Sequence, residues 1–147
     1  MRLTAPRPVL AAALIALGLG FSLPASANDA RVQQFGWGNS AGGTQEGARH
    51  RFGIFQEGRF NEGAVRQRGR GHTAAIGQNG VRHRVDITQN GRRNEAGIGQ
   101  FGSAHSAIVT QDGNGNITAG VQVGHGCRGS VDQRGSGNVA AFVQLCD

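Results

Sequence analysis

The chain has 147 residues, 26 of them Gly, with aromatic residues at only 5% and 15 basic against 9 acidic side chains. So little aromatic and so much flexible residue excludes an ordinary globular core, and composition alone points towards disorder. What argues against disorder is the order in which the residues come.

Met1 and Arg2 are followed by an apolar run from Val9 to Leu23 and by Ala25-Ser26-Ala27. A basic start, a short apolar stretch and an A-x-A site predict a secretory signal peptide over residues 1–27, too short in its apolar part for a membrane anchor. Cleavage there leaves Asn28 first, and the repeats begin at that residue. The chain from 28 to 147 has 13 Arg, no Lys and no Pro. Ten of the Arg lie between Arg49 and Arg93 against three acids (Glu57, Glu62, Asp86), leaving the middle at +7.

From Asn28 onward one pattern returns every eleven residues. Its clearest column is Gln34, Gln45, Gln56, Gln67, Gln78, Gln89, Gln100, Gln111, Gln122, Gln133 and Gln144. Two residues later stands a glycine: Gly36, Gly47, Gly58, Gly69, Gly80, Gly91, Gly102, Gly113, Gly124 and Gly135, with Cys146 closing the series. Six residues before each Gln stands Asn28, Asn39, His50, Asn61, His72, His83, Asn94, His105, Asn116, Cys127 or Asn138. Four before is a mostly small residue, as in Ala74 and Ala96, and two before a mostly β-branched one, as in Ile76 and Ile98. These positions alternate, so in a strand they share one face. No charged residue after Ala27 falls in any of them, which is what a buried face requires.

Each repeat therefore predicts a seven-residue strand, such as Asn94 to Gln100, and a four-residue turn, such as Phe101 to Ala104. Asn79-Gly80 and Asn90-Gly91 are turn dipeptides. One strand cannot bury its inner face alone. Two strands and their turns make a 22-residue layer, and stacked layers make two facing parallel sheets. The expected fold is all-β: a β-solenoid of eleven repeats in about 5.5 layers, roughly 25 Å long at the usual strand spacing. Across each turn the Ile/Val column meets the small column of the next strand. Gly43 then faces Phe52, and Phe142 faces Gly129, so volume is kept in both pairs. Val85 has no such compensation. Inward Gln and Asn amides would be satisfied by stacking into ladders, each donating to one neighbour and accepting from the other.

The spacing Gln-x4-Asn-x5-Gln, seen in Gln34…Asn39…Gln45 and Gln89…Asn94…Gln100, resembles the curlin repeat of bacterial curli subunits over the whole of residues 28–147. The resemblance implies an exported subunit that polymerises with itself and other curlin subunits into amyloid fibres on the cell surface, in adhesion and biofilm matrix. It also implies a curli-type secretion apparatus as partner. The family has major subunits and minor nucleators, and either role fits. This chain departs from the family's usual Asn/Ser strand starts in His50, His72, His83, His105 and Cys127. It also lacks a non-repeat segment between the signal and the first repeat.

A solenoid ends in open sheet edges, and the first strand carries no proline or capping helix to blunt its edge. The alternative is a monomeric extracellular solenoid that binds a polyanion or a surface ligand; such a protein would want a regular outward array, and the outward residues here vary freely. The Arg-rich middle suits polysaccharide or DNA as a secondary ligand. No catalytic arrangement or cofactor motif stands out, so an enzyme is not expected, nor a membrane span after signal cleavage. His50 with His72, and His83 with His105, fall one layer apart; they read as substitutes for Asn in the ladder before they read as metal ligands. Cys127 and Cys146 both interrupt columns near the end of the last layer. In an exported chain they are expected to form a disulfide that closes it.

Overall fold

A computed structural model describes residues 27–147. The expected signal peptide lies outside them, apart from its last residue. The described residues form eleven strands: β1 (Asp29–Trp37), β2 (Ser40–Ala48), β3 (Arg51–Arg59), β4 (Glu62–Arg70), β5 (Thr73–Val81), β6 (Arg84–Arg92), β7 (Glu95–Ser103), β8 (Ser106–Asn114), β9 (Ile117–His125), β10 (Arg128–Ser136) and β11 (Val139–Cys146). Odd strands make one six-stranded sheet and even strands one five-stranded sheet. Every pairing is parallel with a shift of 22 residues, so Gln56 lies beside Gln78 and Gln67 beside Gln89. This is the two-sheet β-solenoid that the repeat predicts.

The strands are longer than the repeat suggests. Each has nine residues, eight in β11, where seven were expected, and only two residues separate one strand from the next. The Gln is therefore not the strand's end. The glycine two residues on still pairs with the glycine of the next rung, as Gly80 does with Gly102. It does so at positive φ, +134° at Gly80, which bends the strand around the corner without ending the ladder. A Cβ on Gly80 would overlap the Gly102 carbonyl and come 2.8 Å from His83 Nε2.

A second positive-φ column lies two residues further on. It holds Gly38, Gly71, Gly115, Gly126 and Gly137, but also Arg49, Phe60, Arg82, Arg93 and Ala104, the latter five at φ between 54° and 61°. The amides at this column bond across rungs, as in Arg82 N–H to the Arg59 carbonyl at 3.0 Å and Arg93 N–H to the Arg70 carbonyl at 2.9 Å. Those bonds hold non-glycine residues in a conformation that costs each roughly 1–2 kcal/mol.

The core is one narrow stack between the sheets, with Ile54, Val65, Ile76, Val85, Ile87, Ile98 and Val109 at 3% exposure or less. The large-against-small pairing holds where it can be read: the space at Gly43 is filled by the Phe52 ring, and that at Gly129 by Phe142. Phe142 also lies over Gly120, its neighbour one rung earlier in β9. Val85 is accommodated along its ladder, where its partner in β4 is Gly63.

Candidate functional site: the amide ladders and the open edges

The inward Gln side chains form two continuous rows. In the odd sheet Nε2 of Gln34, Gln56, Gln78, Gln100 and Gln122 donates to Oε1 of the Gln one rung on, at 2.7–3.1 Å. In the even sheet Gln45, Gln67, Gln89 and Gln111 do the same towards Gln67, Gln89, Gln111 and Gln133, at 2.8–3.0 Å. From Gln45 to Gln144, the second N–H of each amide goes to the carbonyl sixteen residues earlier, on the facing strand: Gln45 to Asp29, Gln56 to Ser40, Gln89 to Thr73, Gln144 to Arg128. A carbonyl can only accept, so this bond fixes which end of the amide is nitrogen. All nine amide-to-amide bonds consequently run in one direction along the axis.

The Asn column is built differently from the expected ladder. Asn61 Nδ2 donates to the Glu57 carbonyl four residues back and to the Gly80 carbonyl nineteen residues on, both at 3.2 Å. Its Oδ1 accepts from the backbone N–H of His83, one rung on, at 3.1 Å. Asn94 repeats all three bonds, and Asn39 does as well. Asn28 makes the last two. Asn116 bonds the Gly135 carbonyl and the Asn138 N–H. Only Asn138 donates to another column amide, that of Asn116. The asparagines thus pin the corners to backbone, whereas the glutamines bond one another.

The four column histidines copy the Asn pattern. Nε2 of His72 lies 3.0 Å from the Arg68 carbonyl, and its Nδ1 faces the Asn94 N–H at 3.1 Å. His83 is held between the Asn79 carbonyl and the His105 N–H. Carbonyl on one side and N–H on the other dictate a neutral ring protonated at Nε2. His50 stacks on His72 with centroids 5.1 Å apart, and His83 on His105 at 5.0 Å. All four are at 1% exposure or less. Burial pushes His72 and His83 below the ordinary histidine range, and the stacked ring pushes each the same way. Since both nitrogens of each ring are engaged by backbone, these pairs are not a metal ladder. Among the described residues no group of three or more His, Cys, Asp or Glu is placed to hold a metal ion.

Cys127 and Cys146 are joined in the structure, their Cα atoms 5.6 Å apart and nineteen residues apart in sequence. Nineteen is also the separation of the Asn-to-glycine-carbonyl bond at the other corners. The covalent link thus stands where Asn61 and Gly80 are hydrogen-bonded. Neither composition nor column analysis reveals that equivalence, because it depends on how a side chain reaches the next rung.

Among the described residues nothing covers either end of the stack. All nine residues of β1 are exposed, Gln34 included. At the other end Val139, Val143 and Leu145 of β11 are 72%, 69% and 80% exposed. Among the described residues nothing donates to Oε1 of Gln34 or Gln45, and nothing accepts the N–H of Gln133 or Gln144 that in the other rungs goes to the next Gln. One end of the molecule presents amide acceptors and the other amide donors.

The described residues thus form a parallel β-solenoid that is polar along its axis, with acceptors of one amide row at one end and donors at the other. Residues 84–113, spanning β6, β7 and most of β8, match the family model described as the curlin associated repeat. No curated protein matches the chain, and no solved structure does.

Proposed function

We propose that the protein is a curli-type structural subunit that polymerises end to end into amyloid fibres at the cell surface, serving adhesion and the biofilm matrix. The carrying observation is the pair of opposite open edges: two in-register sheets, each ending in a Gln row whose donors at one end match the acceptors at the other. Edges of this kind are what soluble monomers avoid. In this reading the chain is exported by its leader, uses a curli-type secretion apparatus and joins other curlin subunits. The test is assembly of the purified residues 28–147. Thioflavin-positive fibres with cross-β diffraction should appear after a lag that seeds shorten. A protein that stays monomeric for days at about tens of micromolar, where exposed edges aggregate, overturns the reading.

A second reading, polyanion binding, is favoured by one observation. Arg70, Arg92 and Arg93 line an open groove of about 400 Å³ with Asn114 and Gly115. None of these three Arg takes part in the ion pairs among the described residues, which join Arg66 to Asp86, Arg68 to Glu46, Arg84 to Glu62 and Arg134 to Asp132. Fibres so charged would hold acidic polysaccharide or DNA by counterion release. Replacing the three Arg by Gln should weaken that binding and lower its salt dependence without slowing assembly.

A further inference from the structure

We infer that successive copies stack with a half-turn between them, so that β1 of the next copy docks on β10 and its β2 on β11. The inference rests on the fibre reading above and specifies its interface.

Within the chain every strand follows from the one before by the same step. The Gln-to-carbonyl bond over sixteen residues recurs from Gln45 to Gln144 at 2.9–3.2 Å, in both sheets alike. Both corners also make the same backbone bonds, as Arg82 N–H to Arg59 and Arg93 N–H to Arg70. Each step is therefore half a turn and half a rung. Eleven is odd, so the stack ends unevenly: β11 is the sixth strand of one sheet, and the other stops at β10, its fifth. The next step falls on the β10 edge. A copy placed there continues both sheets without a vacancy, but its odd strands extend the neighbour's even sheet. A copy in the same orientation, with β1 on β11, leaves one strand's place empty beside β10, with the backbone groups of both flanking strands unpaired.

The side chains at the ends agree with the half-turn. The 22-residue register then sets Gln34 over Gln133 and Gln45 over Gln144, completing both amide rows donor to acceptor. It sets Asp29 beside Arg128, which is in none of the ion pairs among the described residues. It also sets Gly43, without a side chain, beside the oversized Phe142, which already lies over a glycine on its other side. The unrotated stack instead puts Val32 beside Phe142, and Asp29 and Arg31 beside Val139 and Ala141.

Two arms test this on assembled fibres of the full repeat region. In the first, Gln33→Cys with Asp132→Cys is treated with dibromobimane, which spans neighbouring strands; the native cysteines are already paired. The two sites lie at opposite ends of one chain, so a bridge between them joins two copies. Covalent ladders from this variant, and none from Gln33→Cys with Val143→Cys, are expected; the reverse result overturns the half-turn. The second arm needs no cysteine. Asp29→Arg should raise the critical concentration for assembly about two- to five-fold, the range of an exposed ion pair, and adding Arg128→Asp should restore it. No rescue overturns the proposed neighbour pair even where fibres form. Failure of the wild-type chain to form fibres overturns the fibre reading itself, and the stacking with it.

Discussion

At the scale of single residues, the two kinds of glycine show what the fold asks of the backbone. Gly80 sits at a corner with φ +134° and no room for a Cβ. Gly77, three residues earlier, faces outward with nothing within 4 Å of the same position. Gly80→Ala should cost roughly 3 kcal/mol or more, while Gly77→Ala should be neutral or stabilise by up to about 1 kcal/mol. Urea unfolding of both variants under conditions that hold the monomer makes the comparison. The corner histidines carry a pH dependence with a defined sign. His72 and His83 are buried as neutral rings, and protonating Nδ1 would set a donor against the backbone N–H of Asn94 or His105. Within each stack the titratable neighbour is another histidine, and among the described residues no carboxylate bonds either ring. Their folded-state pKa lies below the unfolded value, so their contribution is fully present above about pH 6.5 and is lost as pH falls through the lowered value. In that window stability should drop by about 1.4 kcal/mol per pH unit for each histidine. The double variant His72→Asn, His83→Asn, which keeps the corner's bonding pattern, should flatten the loss between neutral and mildly acidic pH.

At the scale of the strand, the rows of amides tie each element to three others. Gln89 donates to Gln111 and to the Thr73 carbonyl, and it accepts from Gln67. Gln89→Ala removes all three bonds inside a fully buried stack, a loss of about 3–5 kcal/mol. Gln34→Ala removes one bond at an exposed end, so monomer stability should change by less than about 1 kcal/mol while fibre growth slows. Equal effects of the two on the melting temperature would contradict the ladder's role. Much of this element was legible in the sequence. The eleven-residue columns place every inward side chain, and volume swaps such as Gly43 with Phe52 identify neighbours across a corner. Two things were not legible. The strand ends are hidden because a glycine at positive φ usually marks a turn, yet here it stays in the ladder, held by the rung on either side. The second positive-φ column was hidden because Arg49, Phe60, Arg82, Arg93 and Ala104 are not residues that announce such a backbone. The inter-rung bonds that stabilise them have no local signature. The asparagines likewise resemble the glutamines chemically, and only the shorter reach of Asn turns its amide to backbone.

At the scale of the molecule, the Cys127–Cys146 link takes over one corner bond of the repeat, and this gives a direct way to weigh it. Reverting the pair to the pattern of the other corners, Cys127→Asn with Cys146→Gly, replaces the covalent bond by the hydrogen bond between residues nineteen apart. The fold should survive. Stability should fall by up to about 3 kcal/mol, the chain-entropy contribution of a loop this size. Cys127→Ala with Cys146→Ala, lacking both bonds, should lose more. Thermal melts of the three proteins rank them. If the Asn/Gly pair melts no higher than the Ala pair, the equivalence of the two corner bonds is wrong.

Because the strands lie across the axis and their hydrogen bonds lie along it, the covalent chain is wound like thread on a bobbin. In the proposed fibre, tension would be carried first by rungs of hydrogen bonds joined in series, and the peptide backbone would carry load only once a rung had parted. A subunit pulled from its amino-terminal side would then pay out one strand at a time, each giving about 35–40 Å of extended chain for eleven residues. The unwinding would halt where Cys127 and Cys146 lock residues 127–146 into a loop. The expected force trace is a run of small, evenly spaced steps ending short of full extension, with the missing length returned by a reducing agent. Such a thread would lengthen under load instead of snapping, and relaxing the force should let it rewind on the rungs that remain.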